Sequence, residues 1–169
     1  MRQQRSTDNP LLAELRWIHD MLRRDLATVR RIADEAATGA SAARLQEGVR
    51  RLQSNGPLFQ LKANCLSYCQ VVHHHHHLES ALLFPAVRRS APHLKETVDR
   101  LEADHRLVSE LLDQVEGAAR ALGGDDAAVR GKLVEALRTL SEHLLAHLKF
   151  EEESLAPVLA TWRRWPFHG

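Results

Sequence analysis

The chain has 169 residues, enough for one domain with a substantial core, and its 44% hydrophobic and 27% charged residues read as a globular protein. A net charge of +1, with no basic stripe interleaved with aromatics, points away from nucleic acid. No apolar stretch approaches the roughly 20 residues needed to span a bilayer, and the polar start MRQQRSTDNP lacks the apolar core of a signal peptide, so a cytoplasmic protein with no membrane partner is expected.

Thr7 or Asp8 is expected to cap the first helix, with Pro10 in its first turn, where a missing N–H costs nothing. Leu12, Leu15, Ile18, Leu22, Leu26, Val29 and Ile32 then recur at close to a 3.6-residue period. His19 falls in line with that face, and the helix fades over 36–39. Ser41 to Ser54 reads as a second, short helical segment, and Asn55-Gly56-Pro57 breaks it.

A long helix is expected from about Leu58 to Leu83, with Leu61, Cys65, Leu66, Cys69, Val72, His75, His76, Glu79 and Leu83 on its inward face. Phe84-Pro85 ends or kinks it, because a proline ring clashes with the preceding turn. Cys65 and Cys69 stack one turn apart on this helix. Without a CxxC pair they read as reduced core residues, a redox or ligand role being the alternative.

The next helix runs from about His93 to Leu122, and His105 sits four residues after Leu101 on its apolar stripe. Gly123-Gly124-Asp125-Asp126 makes a turn and a cap. The last helix runs from about Asp126 to Ser154, with His147 and Glu151 on its inward face, and His143 one turn earlier. Pro157 is expected to disturb it, and Trp162, Trp165 and Phe167 to pack across one end of the bundle. No βαβ pattern occurs, so the fold class is all-α: an up-down-up-down four-helix bundle with an extra short helical segment and a C-terminal tail. One domain, 1–169 with its core at about 10–160, is expected.

Five consecutive histidines, His73 to His77, lie inside the long helix. An expression tag or a solvated histidine tract is the plain alternative. The other three helices argue against both, because each also turns an imidazole or carboxylate inward: His19, His105, and His147 with Glu151. Polar groups in a bundle core are costly unless paired or bound to metal. Two helices carry His-x-x-x-Glu, which puts imidazole and carboxylate one turn apart on one face. Facing helices build two-metal carboxylate sites in this way, and iron, manganese, cobalt and zinc all suit such N/O donors.

The order His19, then His-x-His-His-x-x-Glu at 73–79 followed by Leu83-Phe84-Pro85, then Asp104-His105, then His143-x-x-x-His147-x-x-x-Glu151-Glu152 with Pro157, resembles the hemerythrin-like (HHE cation-binding) domains over roughly residues 10–160. The resemblance implies a four-helix bundle holding two non-haem iron ions, oxo- or hydroxo-bridged and carboxylate-bridged. It also implies His19, His75, Glu79, His105, His147 and Glu151 as the metal ligands. One departure stands out: where oxygen carriers of the family have a second histidine one turn after the helix-three ligand, this chain has Ser109. His76 and Tyr68 are candidates for the additional donor, the alternatives being a supporting or solvent-facing His76 and a Tyr68 that only hydrogen-bonds nearby. His73 reads as supporting or surface, His143 as supporting the site, His74 and His77 as solvated, and Glu152 as orienting a ligand imidazole or facing outward. The partners implied are small oxidants: dioxygen, hydrogen peroxide or nitric oxide. The reduced histidine set, a tyrosine donor and nearby thiols favour catalase-like decomposition of peroxide, with reversible dioxygen or nitric oxide binding or sensing as the alternative. The oligomeric state stays open.

Overall fold

The computed structural model describes residues 9–38, 57–123 and 126–167. Thr7, Asp8 and the segment 41–54 lie outside the described residues. Within them every regular element is helical. Helix α1 spans Pro10–Ala37, α2 Pro57–Leu78 and α3 Phe84–Ser90. Helix α4 spans Lys95–Arg120 and α5 Ala127–Leu159. A π-helical turn, Glu79–Leu83, joins α2 to α3, and a 3₁₀ turn, Pro92–Leu94, leads into α4. Helix α1 packs on α2 and α5, and α4 packs on the same two, so the four long helices close around a common interior.

The caps follow local chemistry. Asn9 caps α1: its Oδ1 accepts from the N–H of Leu11 at 3.1 Å and of Leu12 at 3.3 Å, two of the donors that a helix start leaves unpaired. Asp126 does the same for α5 through the N–H of Ala128. The buried stripe of α1 begins at Leu11 and ends on Ala33 and Ala36, with Leu12, Ile18 and Ile32 on its flanks.

Of two helix prolines, one acts as expected and one does not. Pro85 interrupts the regular helix, and the irregular turn starts at Glu79, where the N–H of Phe84 bonds the Glu79 carbonyl. A proline cannot supply the bond to the carbonyl four residues back, and widening the preceding turn relieves its ring clash. Pro157 does not stop α5, which continues to Leu159. Its ring faces solvent, and the ladder resumes with the N–H of Ala160 on the carbonyl of Ala156.

The interior divides into two apolar clusters. One gathers Leu22, Leu26, Leu61, Leu112, Leu137 and Leu144 with their neighbours. The other gathers Leu15, Phe84, Val87, Leu101 and Leu155. The helix segments between them carry His19 on α1, His75 and His76 on α2, His105 on α4, and His147 and Glu151 on α5. A polar layer therefore lies between two greasy ones. Each fully buried leucine contributes about 1.5–3 kcal/mol, so the flanking clusters can offset a layer whose unmet polar groups cost about 1–3 kcal/mol each. Trp162, Trp165 and Phe167 pack on the second cluster, as expected. The Trp162 indole donates to Ser90 Oγ and the Trp165 indole to Glu14 Oε2, fastening the tail across that end.

Candidate metal centre

All six expected ligands meet in the polar layer. His19 is fully buried, and its Nε2 lies 3.2 Å from His75 Nε2. His75 Nε2 lies 2.9 Å from Glu79 Oε1, and His105 Nε2 lies 3.7 Å from the same oxygen. Glu151 spreads its two oxygens: Oε1 is 3.7 Å from His19 Nε2, whereas Oε2 is 3.1 Å from His147 Nε2 and 3.8 Å from His105 Nε2. Each carboxylate thus faces imidazoles on both sides of the layer.

His76 joins them. It is buried, its ring stacks on that of His105 with centroids 3.9 Å apart, and one of its ring nitrogens lies within 4.8 Å of one from each of His105 and His147. Successive residues on a helix project about 100° apart. Helix α2 touches both α1 and α4, so His75 can turn towards His19 while His76 turns towards His105. Two half-sites result: His19 and His75 on one side, His76, His105 and His147 on the other, with Glu79 and Glu151 between.

Hydrogen bonding inside the layer is absent where it would be most needed. His76 Nε2, His105 Nε2, His147 Nε2 and all four oxygens of Glu79 and Glu151 are buried without a hydrogen-bond partner. Leaving seven such atoms unmet in a core is expensive, and the groups they form could hold metal cations that satisfy them. The donor set fits a divalent transition metal: five imidazoles and two carboxylates, with no thiolate. It is too rich in nitrogen for magnesium or calcium.

The far side of three rings is also held. Glu152 Oε1 accepts from His19 Nδ1 at 3.1 Å, Ser80 Oγ lies 2.9 Å from His105 Nδ1, and Asp104 Oδ2 lies 3.4 Å from His147 Nδ1. Such contacts fix the tautomer so that Nε2 is free to bind. Arg23 grips Glu152 with two bonds, at 3.0 and 2.9 Å. Burial works against the Glu152 charge, but His19 and Arg23 hold its carboxyl down to about 2. Burial, aided by His19, lowers His75 to about 4. Burial likewise lowers His76 and His105, which keeps them in the neutral form that a metal requires. For His147 burial is the largest influence and lowers it, yet Glu151, Glu79 and Asp104 together outweigh it and raise the imidazole above its usual value.

Of the two roles read for Glu152 from the sequence, orienting an imidazole or facing outward, the buried contact with His19 is the first. Ser80 and Arg23 were not foreseen. Arg23 lies one turn after His19, a spacing that could have pointed to it.

Other candidates fall outside the cluster. The Tyr68 phenol donates to the Leu22 carbonyl at 3.0 Å and, pushed up by burial and by Cys69, stays neutral. Of the two roles read for Tyr68, this contact is the local hydrogen bond, and seven residues along a helix is about 10 Å, a long reach to an ion held by His75. Cys65 and Cys69 are buried free thiols pushed up to about 12, chiefly by burial, so they are inert packing and not a reactive pair. His143 is exposed beside Asp104 and His147 at a shallow cavity and does not join the cluster. His74 and His77 are exposed, as expected, and His73 is half-buried against Asp113 and Glu116.

A cavity of about 510 Å³ opens beside the His76 half-site. His76 and His105 form part of its wall, with Ser109, His77, Glu102 and Arg106 around them.

An all-helical bundle whose polar layer gathers imidazoles and carboxylates defines a metal-binding helical protein. The chain belongs to the hemerythrin HHE cation-binding domain family, whose pattern matches residues 11–159. Comparison with curated proteins and with solved structures gave no match. Among the described residues no helix is long and apolar enough to cross a membrane.

Proposed function

We propose that this chain is a single up-down-up-down bundle that holds two iron ions and decomposes hydrogen peroxide. The alternating direction is supported by side-chain pairings. Helix α1 meets α5 at Asn9/Ala156, His19/Glu152 and Arg30/Ser141, and α2 meets α4 at Lys62/Arg120 and Cys69/Leu112. Glu79 and Glu151 would bridge the ions, with His19 and His75 on one and His76, His105 and His147 on the other. A bound iron pair supplies the capacity to take up and return two electrons.

The observation that carries the peroxide reading is the cavity whose wall brings His77, Glu102 and Ser109 together with His76 and His105. A reversible carrier is served by a dry pocket, whereas peroxide breakdown has to move protons. One peroxide takes two electrons and two protons and leaves as two waters, and a second gives back two electrons and two protons as dioxygen. His77 and Glu102 can hold those protons at the cavity wall, and the Ser109 hydroxyl can hand them inward. Arg88 balances the Glu102 charge at 3.0 Å, and Arg106 lines the same wall. Ser109 also leaves room where a longer side chain would close the approach. The iron-loaded protein mixed with hydrogen peroxide is expected to release one dioxygen for every two peroxides consumed, followed with an oxygen electrode. Release no faster than from the same amount of free iron would exclude the catalytic reading.

One observation favours a second reading. His76 restores the number of imidazoles around the pair to five, which weakens the case against reversible dioxygen or nitric oxide binding. A spectrum that forms under the gas and reverses on degassing would support that reading instead.

A further inference from the structure

The histidine run has one member that the central cluster does not use and that is not simply solvated. His73 is half-buried on α2, and opposite it on α4 stand Asp113 and Glu116, three residues apart and so on one face. His73 Nε2 lies 3.6 Å from Asp113 Oδ1 and 3.5 Å from Glu116 Oε1. One ligand atom from each of the three lies within 4.8 Å of the other two. Both measured distances are too long for an N–H···O bond. They are close to the edge of a tetrahedron whose arms are metal bonds of about 2.1 Å, which is about 3.4 Å.

We propose that His73, Asp113 and Glu116 form an outer binding site for a divalent transition cation, with water completing a tetrahedron. Three protein donors plus an open position is the pattern of exchangeable zinc sites rather than of closed structural ones. An imidazole between two carboxylates suits zinc, manganese or ferrous iron and disfavours calcium, which prefers oxygen donors alone. Cys69 lies one turn before His73 and feels both carboxylates, but burial keeps its thiol protonated and its Sγ bonds the Leu112 carbonyl, so sulfur is not a ligand. The nearest rival is Arg120, whose Nη2 is 3.9 Å from the other Glu116 oxygen. That contact is long, i,i+4 and open to solvent on the Arg120 side, worth about 0.3–0.5 kcal/mol, and a bound cation would outweigh it.

The position gives the site a consequence. His73 also lines the cavity that reaches His76 and His105. A cation on His73, Asp113 and Glu116 ties α2 to α4 beside that opening and places positive charge at its rim. The site itself does not depend on what the inner cluster holds; only its position at a substrate entrance rests on the function proposed above.

The probe is Zn²⁺ alone, titrated by calorimetry into the full chain already loaded with iron. Wild type is expected to take up one further Zn²⁺ per chain, with a rise in unfolding temperature that grows with Zn²⁺ concentration. His73→Ala and Glu116→Gln are expected to lose that step and keep their iron. His74→Ala and His77→Ala, on exposed positions of the same run, are expected to keep it. His74 and His77 are exposed, and the half-buried His73 and Glu116 belong to neither apolar cluster, so the fold is expected to tolerate each change. The proposal is overturned if His73→Ala and Glu116→Gln titrate as wild type does, or if only the His74 and His77 changes abolish uptake. A failure of the inner iron site would appear in the iron content of every variant, whereas a failure of the outer site would appear only in the Zn²⁺ step.

Discussion

Glu151→Leu is expected to strip both metal ions and, under chelator, to make the protein more stable than wild type. Glu151 is fully buried and neither of its oxygens has a hydrogen-bond partner, although imidazoles face it from both sides. Its charge is costly to bury unless metal binds. Removing a buried charge is stabilising only if no opposite charge is left alone, and here none is. Without Glu151, burial lowers the His147 imidazole to its neutral form, so the change resembles replacing a whole buried ion pair by apolar groups, which is often neutral or stabilising by about 1–4 kcal/mol. Under EDTA the variant therefore gains, and each kcal/mol raises the unfolding temperature of a chain this size by about 2–4 °C. With metal the order reverses. Ions at a hundred times their dissociation constant stabilise by about 2.7 kcal/mol for each site, and the variant cannot collect that. Thermal melts of both proteins, with iron and with EDTA, check the crossing. Parallel responses to EDTA would mean that Glu151 does not hold metal.

His76→Ala is expected to lower the iron content from two ions to one. The remaining ion would be the one beside His19 and His75, which do not share the His76 face. The lost ion keeps only His105 and His147 as imidazole ligands, and the cavity would admit water in place of the third. The protein itself should tolerate the change, because the deleted ring also removes an unmet buried nitrogen. Added imidazole can enter through the cavity and restore the second ion. Ser109→His in the His76→Ala background is expected to restore it from α4, since Ser109 lines the same cavity. Iron analysis with and without imidazole reads both outcomes. Two ions retained in His76→Ala would place His76 outside the ligand set.

Much of this was legible from residue spacing. The four inward stripes, and the polar residue interrupting each of them, are local properties of amphipathic helices. They were sufficient to bring His19, His75, Glu79, His105, His147 and Glu151 to one layer. What spacing does not reveal is which helices are neighbours. His75 and His76 point in different directions, and His76 becomes buried only because α4 stands on its side of α2. Tyr68 shows the opposite limit. It shares a helix face with His75, but axial rise separates them by two turns, and the nearest partner for its hydroxyl is the Leu22 carbonyl. The outer contacts were the hardest to read, because Ser80 and Asp104 act across helices, on His105 and His147. Pro157 was misjudged for a simpler reason: near a helix end a proline removes one bond, and an exposed ring meets no obstacle.

Anomalous scattering at the iron edge, from crystals of the iron-loaded protein, tests the central claim most directly. The expected map has two iron peaks about 3.5–4 Å apart in the layer between the two apolar clusters. One peak should touch His19 and His75, the other His76, His105 and His147, and both should touch Glu79 and Glu151. A single peak in that layer, or iron found only on the exposed histidines His74 and His77, would contradict it.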